Sequence, residues 1–317
     1  MTKKKYIKWF QVFGIILFII ILTRLDFGRI ANQLIHFKWA WLSVYVLSMI
    51  LMLLFKVLRW RTALSKQGIN YSIGKVFAIS AITSFWGIVT PGRLGELGKV
   101  MFLQKDNYSF AKSSVSVIID RLYDITILLL LGIFSLIYFI SLLNPNIRIF
   151  ITIFILIIGC LILIYFLKKD LRDLLKKAVK FFLSEEKYNK LAKEWNIFKS
   201  DFGIVFPSTI IPMLFYSILA YLCYYVQIYV VAVGFGVNIS FIYLGLCSSL
   251  AALISLIPIS IGGLGTREAV FLFLLSKVSV SSETAVLISF IDGSVFALIF
   301  TGVLALISHF ILKLKFR

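Results

Sequence analysis

Eight charged residues could do most of the chemistry open to this chain: Arg93, Glu96, Asp120, Arg121, Asp124, Arg267, Glu268 and Asp292. All stand in or beside long apolar runs, where a charge is costly unless it is used. Four of them belong to two glycine-rich turns. The first turn reads Thr90-Pro91-Gly92-Arg93-Leu94-Gly95-Glu96. The second reads Pro258-Ile259-Ser260-Ile261-Gly262-Gly263-Leu264-Gly265-Thr266-Arg267-Glu268. Proline lacks an N–H and restricts its predecessor, so Pro91 and Pro258 end the helix leading in. Gly92, Gly95, Gly262, Gly263 and Gly265 permit positive φ and close approach. A helix starting after each turn would aim its free N–H groups and positive dipole end at the turn. Beside Arg93 or Arg267 such an end suits an anion, and two turns could share one phosphate group. The plainer reading is glycine packing, with Arg93 paired to Glu96 and Arg267 to Glu268.

The other charges offer two more sites. Asp120 and Asp124 share a helix face, with Arg121 flanking. They could neutralise one another, pair with Arg93, or form an interfacial cluster still reached by water. Asp292 lies about nine residues into an apolar run, too deep to snorkel easily. It reads as a proton relay or an arginine partner, with polar packing beside Gly293 and Ser294 as the alternative. Tyr221, Tyr224, Tyr225 and Tyr229 read as packing and interfacial belt residues, or as a stripe facing a lipid tail or sugar.

Other chemistries lack their residues. Cys160, Cys223 and Cys247 sit in apolar runs without a CxxC pair, and His36 and His309 are the only histidines. Neither a disulfide framework nor a zinc site is expected. No phosphate-binding loop, nucleophile elbow or HExxH motif occurs. The chain is therefore expected to need no metal or cofactor and not to be an enzyme.

The elements that must position these residues are membrane helices. Of 317 residues, 61% are hydrophobic and 15% charged, against about 45–50% and 25% in soluble chains. Mean hydropathy is +0.99, so the solvent for this surface must be lipid. Runs near 6–23, 39–58, 114–140, 149–167, 209–234 and 284–312 are long enough to span. Lys3-Lys4-Lys5 followed by an apolar run suggests a first spanning helix rather than a cleaved signal, since no small-x-small site follows.

The net charge of +19, from 33 Lys+Arg against 14 Asp+Glu, raises anionic membrane surfaces or nucleic acid as partners. Of the basic residues, 21 fall at the N-terminus, 56–66, 168–200 and the C-terminus. By the positive-inside rule these four segments face the cytoplasm. Segment 168–208 reads as a basic amphipathic helix on anionic headgroups. A nucleic-acid role is not expected, because acidic residues interleave there and no binding fold fits.

These assignments force 73–104 to enter and leave on one face and 240–276 on the other. Each is then a re-entrant helical hairpin with its tip deep in the membrane. A Gly-x-Leu-Gly core recurs in the two tips 170 residues apart, and Ser109/Asp120 and Ser281/Asp292 share one spacing. The expected fold is an all-α polytopic membrane domain over 1–317, with about six spans and two re-entrant hairpins. It forms an inverted repeat of halves near 39–140 and 209–312, as in transporters with a midplane site.

The two tips, with Asp120-Arg121-Leu122-Tyr123-Asp124 between them, resemble the signature of the flippase-like family, also called the lysylphosphatidylglycerol synthase transmembrane-region family. The resemblance runs from about 10 to 312. In the best-known members this module moves an aminoacylated phospholipid between leaflets, and a separate cytosolic domain makes that lipid. No such domain is present in this sequence, so synthase activity is not implied. Other members accompany glycosyltransferases, which points to polyprenyl-phosphate-linked sugars. The resemblance selects Arg93, Glu96, Asp120, Arg121, Arg267 and Glu268.

The expected function is a lipid flippase for a phospholipid or polyprenyl-phosphate-linked head group. The alternative is a membrane subunit or embedded transferase assisting lipid head-group modification. The expected partners are anionic phospholipid or polyprenyl-phosphate lipid, with a separate synthase or glycosyltransferase and self-association left open. The expected location is a prokaryotic cell membrane with both termini cytoplasmic.

Overall fold

The computed structural model describes residues 3–142, 145, 185–256, 260 and 262–311. The expected span 149–167, the basic stretch 168–184, Pro258 and the C-terminal lysines lie outside the described residues. Every regular element among the described residues is helical, and the chain is a multi-pass membrane protein. In chain order the first elements are α1 (Lys3–Leu22), α2 (Phe27–Ile35), α3 (Trp41–Lys66) and α4 (Ile73–Val89). A stretch of 3-10 turns (Pro91–Gly98) leads to α5 (Lys99–Lys105) and α6 (Phe110–Phe139). After α7 (Glu185–Gly234) come α8 (Phe241–Ser255), α9 (Thr266–Ser276) and α10 (Ser282–Phe290). A π-helical turn (Ile291–Phe296) then joins α10 to α11 (Ala297–Ile311).

Among the described residues, four continuous helices are long and apolar enough to cross a membrane: α3, α6, α7, and α10 joined through the π turn to α11. The 26 residues of α3 run about 39 Å, more than the roughly 30 Å hydrocarbon layer. By contrast α4 has 17 residues and α8 has 15, about 22–26 Å. Both turn back instead of crossing. At the mouth of the first hairpin, Lys75 Nζ lies 2.6 Å from Asp106 Oδ2, and the Tyr71 hydroxyl donates to the same oxygen. At the mouth of the second, the Tyr243 hydroxyl donates to the Leu274 carbonyl at 2.8 Å. Each pair ties the incoming helix, or the residues just before it, to the end of the outgoing one, so both hairpins enter and leave on one side.

Matching backbone details recur about 170 residues apart. Gly68 ends α3 at φ +72 and Gly236 ends α7 at φ +75. The same reach-back bond follows each, Ile69 N to Leu64 O and Val237 N to Ala232 O. Asn107 and Ser279 leave the hairpins at φ +64 and +61. Ser109 and Ser281 then cap α6 and α10, satisfying backbone donors the helix leaves open. The halves interlock: α4 packs on α11, α8 on α6, and α3 on α7. One core gathers Trp60, Val76, Ile79 and Leu103 around the first hairpin. Another gathers Cys247, Phe271, Leu275 and Ile288 around the second.

Some boundaries differ from those the sequence suggests. The 24–38 stretch, between the first two expected spans, contains α2, started by Asp26, whose Oδ1 accepts from Gly28 N at 2.8 Å. Residues 185–208, the described part of the basic segment, form the first turns of α7, continuous with the 209–234 span. The helix over 39–58 runs on to Lys66, and this extension matters below.

Candidate functional site

The two tips meet at one cavity of about 160 Å³. From the first hairpin it is lined by Thr90, Gly92, Arg93 and Glu96, and from the second by Gly262 and Arg267. Between them α3 supplies Tyr45, Met52 and Lys56, α7 supplies Tyr221, Tyr224 and Gln227, and the π turn supplies Asp292 and Gly293. Tyr221 and Tyr224, read as packing and belt residues or as a stripe facing a lipid tail or sugar, thus line the cavity.

Backbone geometry builds the first tip. Thr90 Oγ1 donates to Trp86 O and accepts from Gly95 N, both at 2.7 Å. This folds the chain back so closely that a Cβ at Gly95 would sit 2.3 Å from the Trp86 carbonyl. Gly92 and Arg93 both take positive φ, +60 and +56, which brings the Arg93 side chain to the cavity wall. Arg93 makes no ion pair among the described residues.

Behind this tip lies a buried charge network. Arg59, 1% exposed, donates through Nε to Asp120 Oδ1 at 2.7 Å and through Nη1 to Asp124 Oδ1 at 2.8 Å and Ser217 Oγ at 3.1 Å. Lys99 Nζ takes Asp120 Oδ2 at 2.6 Å. Arg121 Nη1 reaches Glu96 Oε2 at 2.8 Å and Asp124 Oδ2 at 3.4 Å. Lys56 Nζ stands 3.6 Å from Asp124 Oδ2. Such a network stands only because nearly every charge has a partner.

Several expectations change here. Glu96 pairs with Arg121 on α6 at 2.8 Å, not with Arg93. Asp120 and Asp124 are buried, not interfacial, since α7 and α3 cover them. Lys56 and Arg59, counted among the basic residues of the cytoplasmic segment 56–66, lie within α3 and belong to the network. Lys99, Arg59 and Lys56 are the residues the sequence reading missed. The shortage of cations for Asp120, Asp124 and Glu96 was the available signal.

The second tip is built differently. Gly262, Gly263 and Gly265 all take positive φ, +60, +84 and +82. Glu268 is fully buried and does not line the cavity. Its Oε2 accepts from Gly265 N at 2.6 Å and its Oε1 from Ser289 Oγ at 3.2 Å. A carboxylate thus caps α9 from within, and the start of α9 is not an open anion site. At the first tip the outgoing α5 has only 7 residues and follows 3-10 turns, too little helix for a useful dipole. The anion-binding helix ends read from the sequence are therefore replaced by side chains.

Arg267 is buried. Its Nη2 donates to Ser289 O at 3.0 Å, while Nε has no partner. The guanidinium lies flat against Gly293, where a Cβ would fall 1.1 Å from Nη2. Asp292, 3% exposed, sits in the π turn, a distortion that often marks functional positions. Its backbone oxygen accepts from the Tyr45 hydroxyl at 3.1 Å, and its Oδ1 has no hydrogen-bond partner.

Of the residues selected from sequence, Arg93, Glu96, Arg267, Asp292, Gly92 and Gly262 line the cavity. Asp120, Arg121 and Asp124 support it from behind. Glu268, Gly95, Gly263 and Gly265 shape the tips, and Pro91 opens the first one. Among the described residues no His/Cys/Asp/Glu group is arranged to hold a metal ion.

Two re-entrant tips closing on one charged cavity inside a helical membrane protein define the class. The chain belongs to the family described as the lysylphosphatidylglycerol synthase transmembrane region, which it matches over residues 9–305. It is also similar to a UPF0104 membrane protein of Pyrococcus horikoshii, 26% identical over 312 residues, covering 91% of this chain and 92% of that one. No solved structure matches the chain.

Proposed function

We propose that this protein is a lipid flippase, moving a phospholipid or polyprenyl-phosphate-linked head group between leaflets without making or breaking a bond. The observation that carries the reading is the meeting of both re-entrant tips at one cavity whose wall holds Lys56, Arg93 and Arg267. The head group enters this cavity while its tails stay in the bilayer. Movement of the tips exposes the cavity to each side in turn. Family membership supports a link to lipid modification or flipping.

The protein works in a prokaryotic cell membrane, with its lysine- and arginine-rich ends cytoplasmic. Its partners are anionic phospholipid or polyprenyl-phosphate lipid, and a separate synthase or glycosyltransferase supplies or uses that lipid. Self-association is compatible with this scheme.

The test is translocation of fluorescent phosphatidylglycerol in proteoliposomes. Arg93→Ala is expected to abolish it while the variant elutes and melts as a folded protein, and unchanged rates would sink the assignment. Lipid extracts from cells with and without the gene address the transferase reading. A new head group indicates an enzyme, whereas the same lipids with an altered leaflet distribution indicate a flippase.

A further inference from the structure

One carboxylate at the cavity is left without a task. Asp292 stands eleven residues beyond the capping Ser281, about 16 Å along the helix and so near the middle of a hydrocarbon layer roughly 30 Å thick. It is buried in the π turn, lines the cavity, and its Oδ1 has no hydrogen-bond partner. A carboxylate in that condition is costly at such depth unless it is used. Its counterpart Asp120 has both oxygens taken by cations, at 2.7 and 2.6 Å.

The neighbouring cation is equally uncommitted. Arg267 is buried, interacts electrostatically with both Glu268 and Asp292, and leaves its Nε without a hydrogen-bond partner. Glu268 is fixed, since its oxygens accept from Gly265 N at 2.6 Å and Ser289 Oγ at 3.2 Å. Accepting at both oxygens is the behaviour of an ionised carboxylate. The trio Arg267, Glu268 and Asp292 is then neutral only while Asp292 carries a proton. The other ionisable groups lining the cavity are Tyr45 and Lys56 of α3, Arg93 and Glu96 of the first tip, and Tyr221 and Tyr224 of α7. Among the described residues α4, α6, α8 and α11 add none to the lining. Tyrosine, lysine and arginine ordinarily titrate near or above about pH 10, and Glu96 is held by Arg121 at 2.8 Å. Asp292 is the group left to exchange a proton, and a polar cavity of about 160 Å³ admits the water that would carry it.

We propose that Asp292 is a proton-binding site that couples translocation to the proton gradient, with the Asp292 carboxylate and the anionic head group competing for Arg267. This rests on the flippase reading of the cavity and adds a coupling ion to it. A proton from cavity water binds the Asp292 carboxylate and removes its hold on Arg267, whose guanidinium turns to the head group. When the head group leaves on the other side, Arg267 returns to Asp292 and the proton passes back to water there. No bond other than the carboxyl O–H forms or breaks. One proton travels with each head group and offsets one of its negative charges.

The test has two arms, both on full-length protein. The first reads the proton directly, without lipid transport, by infrared difference spectroscopy in nanodiscs between about pH 6 and about pH 9, above the range of solvated carboxylates. Wild type should show a protonated-carboxyl C=O band that disappears with rising pH, and Asp292→Asn should lack it. The second arm follows fluorescent phosphatidylglycerol in proteoliposomes under an imposed pH gradient, with the membrane potential clamped by potassium and valinomycin. One proton per lipid makes a gradient of one pH unit skew the leaflet ratio of the probe up to about tenfold. Asp292→Asn should ignore the gradient.

Asp292→Glu keeps a carboxyl and should keep the gradient response while moving the infrared band, a readout that survives if Asp292→Asn fails to fold. The same band in wild type and both variants overturns the proton site. A wild-type leaflet ratio that ignores the gradient while the probe still crosses overturns the coupling. A band lost in Asp292→Asn, with no translocation by wild type, sinks the flippase reading and leaves the proton site standing. Translocation without the band sinks this inference alone.

Discussion

Asp120 and Asp292 occupy the same place in the two halves, each eleven residues beyond a capping serine, yet only Asp120 is fully neutralised. Asp120 holds Arg59 and Lys99 at 2.7 and 2.6 Å, whereas Asp292 is buried with Oδ1 unpartnered. One backbone plan thus carries a sealed electrostatic joint on one side and an unsatisfied carboxylate at the cavity on the other.

That asymmetry predicts opposite outcomes for the same change. Asp120→Asn leaves Arg59 and Lys99 short of a buried counter-charge and should cost about 3–5 kcal/mol, seen as a lower melting temperature and poor folded yield in detergent. Asp292→Asn keeps the shape and removes a charge that one side of the carboxylate leaves unpaired. It should hold the fold within about 1 kcal/mol while changing translocation. Equal destabilisation by both would show that the halves are electrically alike.

Arg59 is predicted to resist conservative replacement. A single guanidinium spans Asp120, Asp124 and Ser217, joining α3, α6 and α7. Lysine keeps the charge but cannot fork. Arg59→Lys should therefore lose about 2 kcal/mol or more, from hydrogen bonds to charged groups left unmade. Denaturation of the detergent-solubilised variant checks this, and wild-type stability would refute the hub.

The uneven legibility of this site follows from where each signal lies. The tips could be read because proline, glycine and charge inside apolar runs are local oddities. Arg59 could not, because a basic residue near the end of a run looks like a loop charge. Only the continuation of α3 to Lys66, under a cover of α6 and α7, turns it inward. Glu268 was legible in principle: its three-residue spacing from Gly265 is that of a helix-start carboxylate reaching back to a free N–H. The adjacent Arg267 drew attention to pairing instead. The 3-10 turns after Pro91 had no sequence mark beyond their glycines, and their form depends on contact with Trp86.

Gly293 is predicted to matter through Arg267. A methyl there would overlap the guanidinium, with contacts of 1.1–1.6 Å, so Gly293→Ala must displace the arginine or the π turn. Overpacking of this kind costs about 1–3 kcal/mol, and translocation should fall with it. Arg267→Ala opens the space, so the double variant should be less destabilised than the sum of the two single changes. Purely additive losses would mean that the two residues do not share this contact.

The mouth of the first hairpin predicts an acid-sensitive clasp. Burial pushes the Asp106 carboxyl up, but the hydrogen bonds from Lys75 and Tyr71 outweigh it and hold it below the usual carboxylate range. A carboxyl with a depressed folded value adds stability above its unfolded value, near 3.9. That stability is lost as pH falls through the lower folded value. Both Lys75 and Asp106 are 36% exposed, so after solvent screening the clasp is worth under about 1 kcal/mol, or about 2–4 °C for a chain of this order of size. Asp106→Asn should therefore melt slightly below wild type at pH 7, and the gap should close between about pH 4 and pH 2. It should also narrow at pH 7 in high salt, because exposed pairs are screened. A gap unchanged from pH 7 to pH 2 would mean that a different group closes the hairpin.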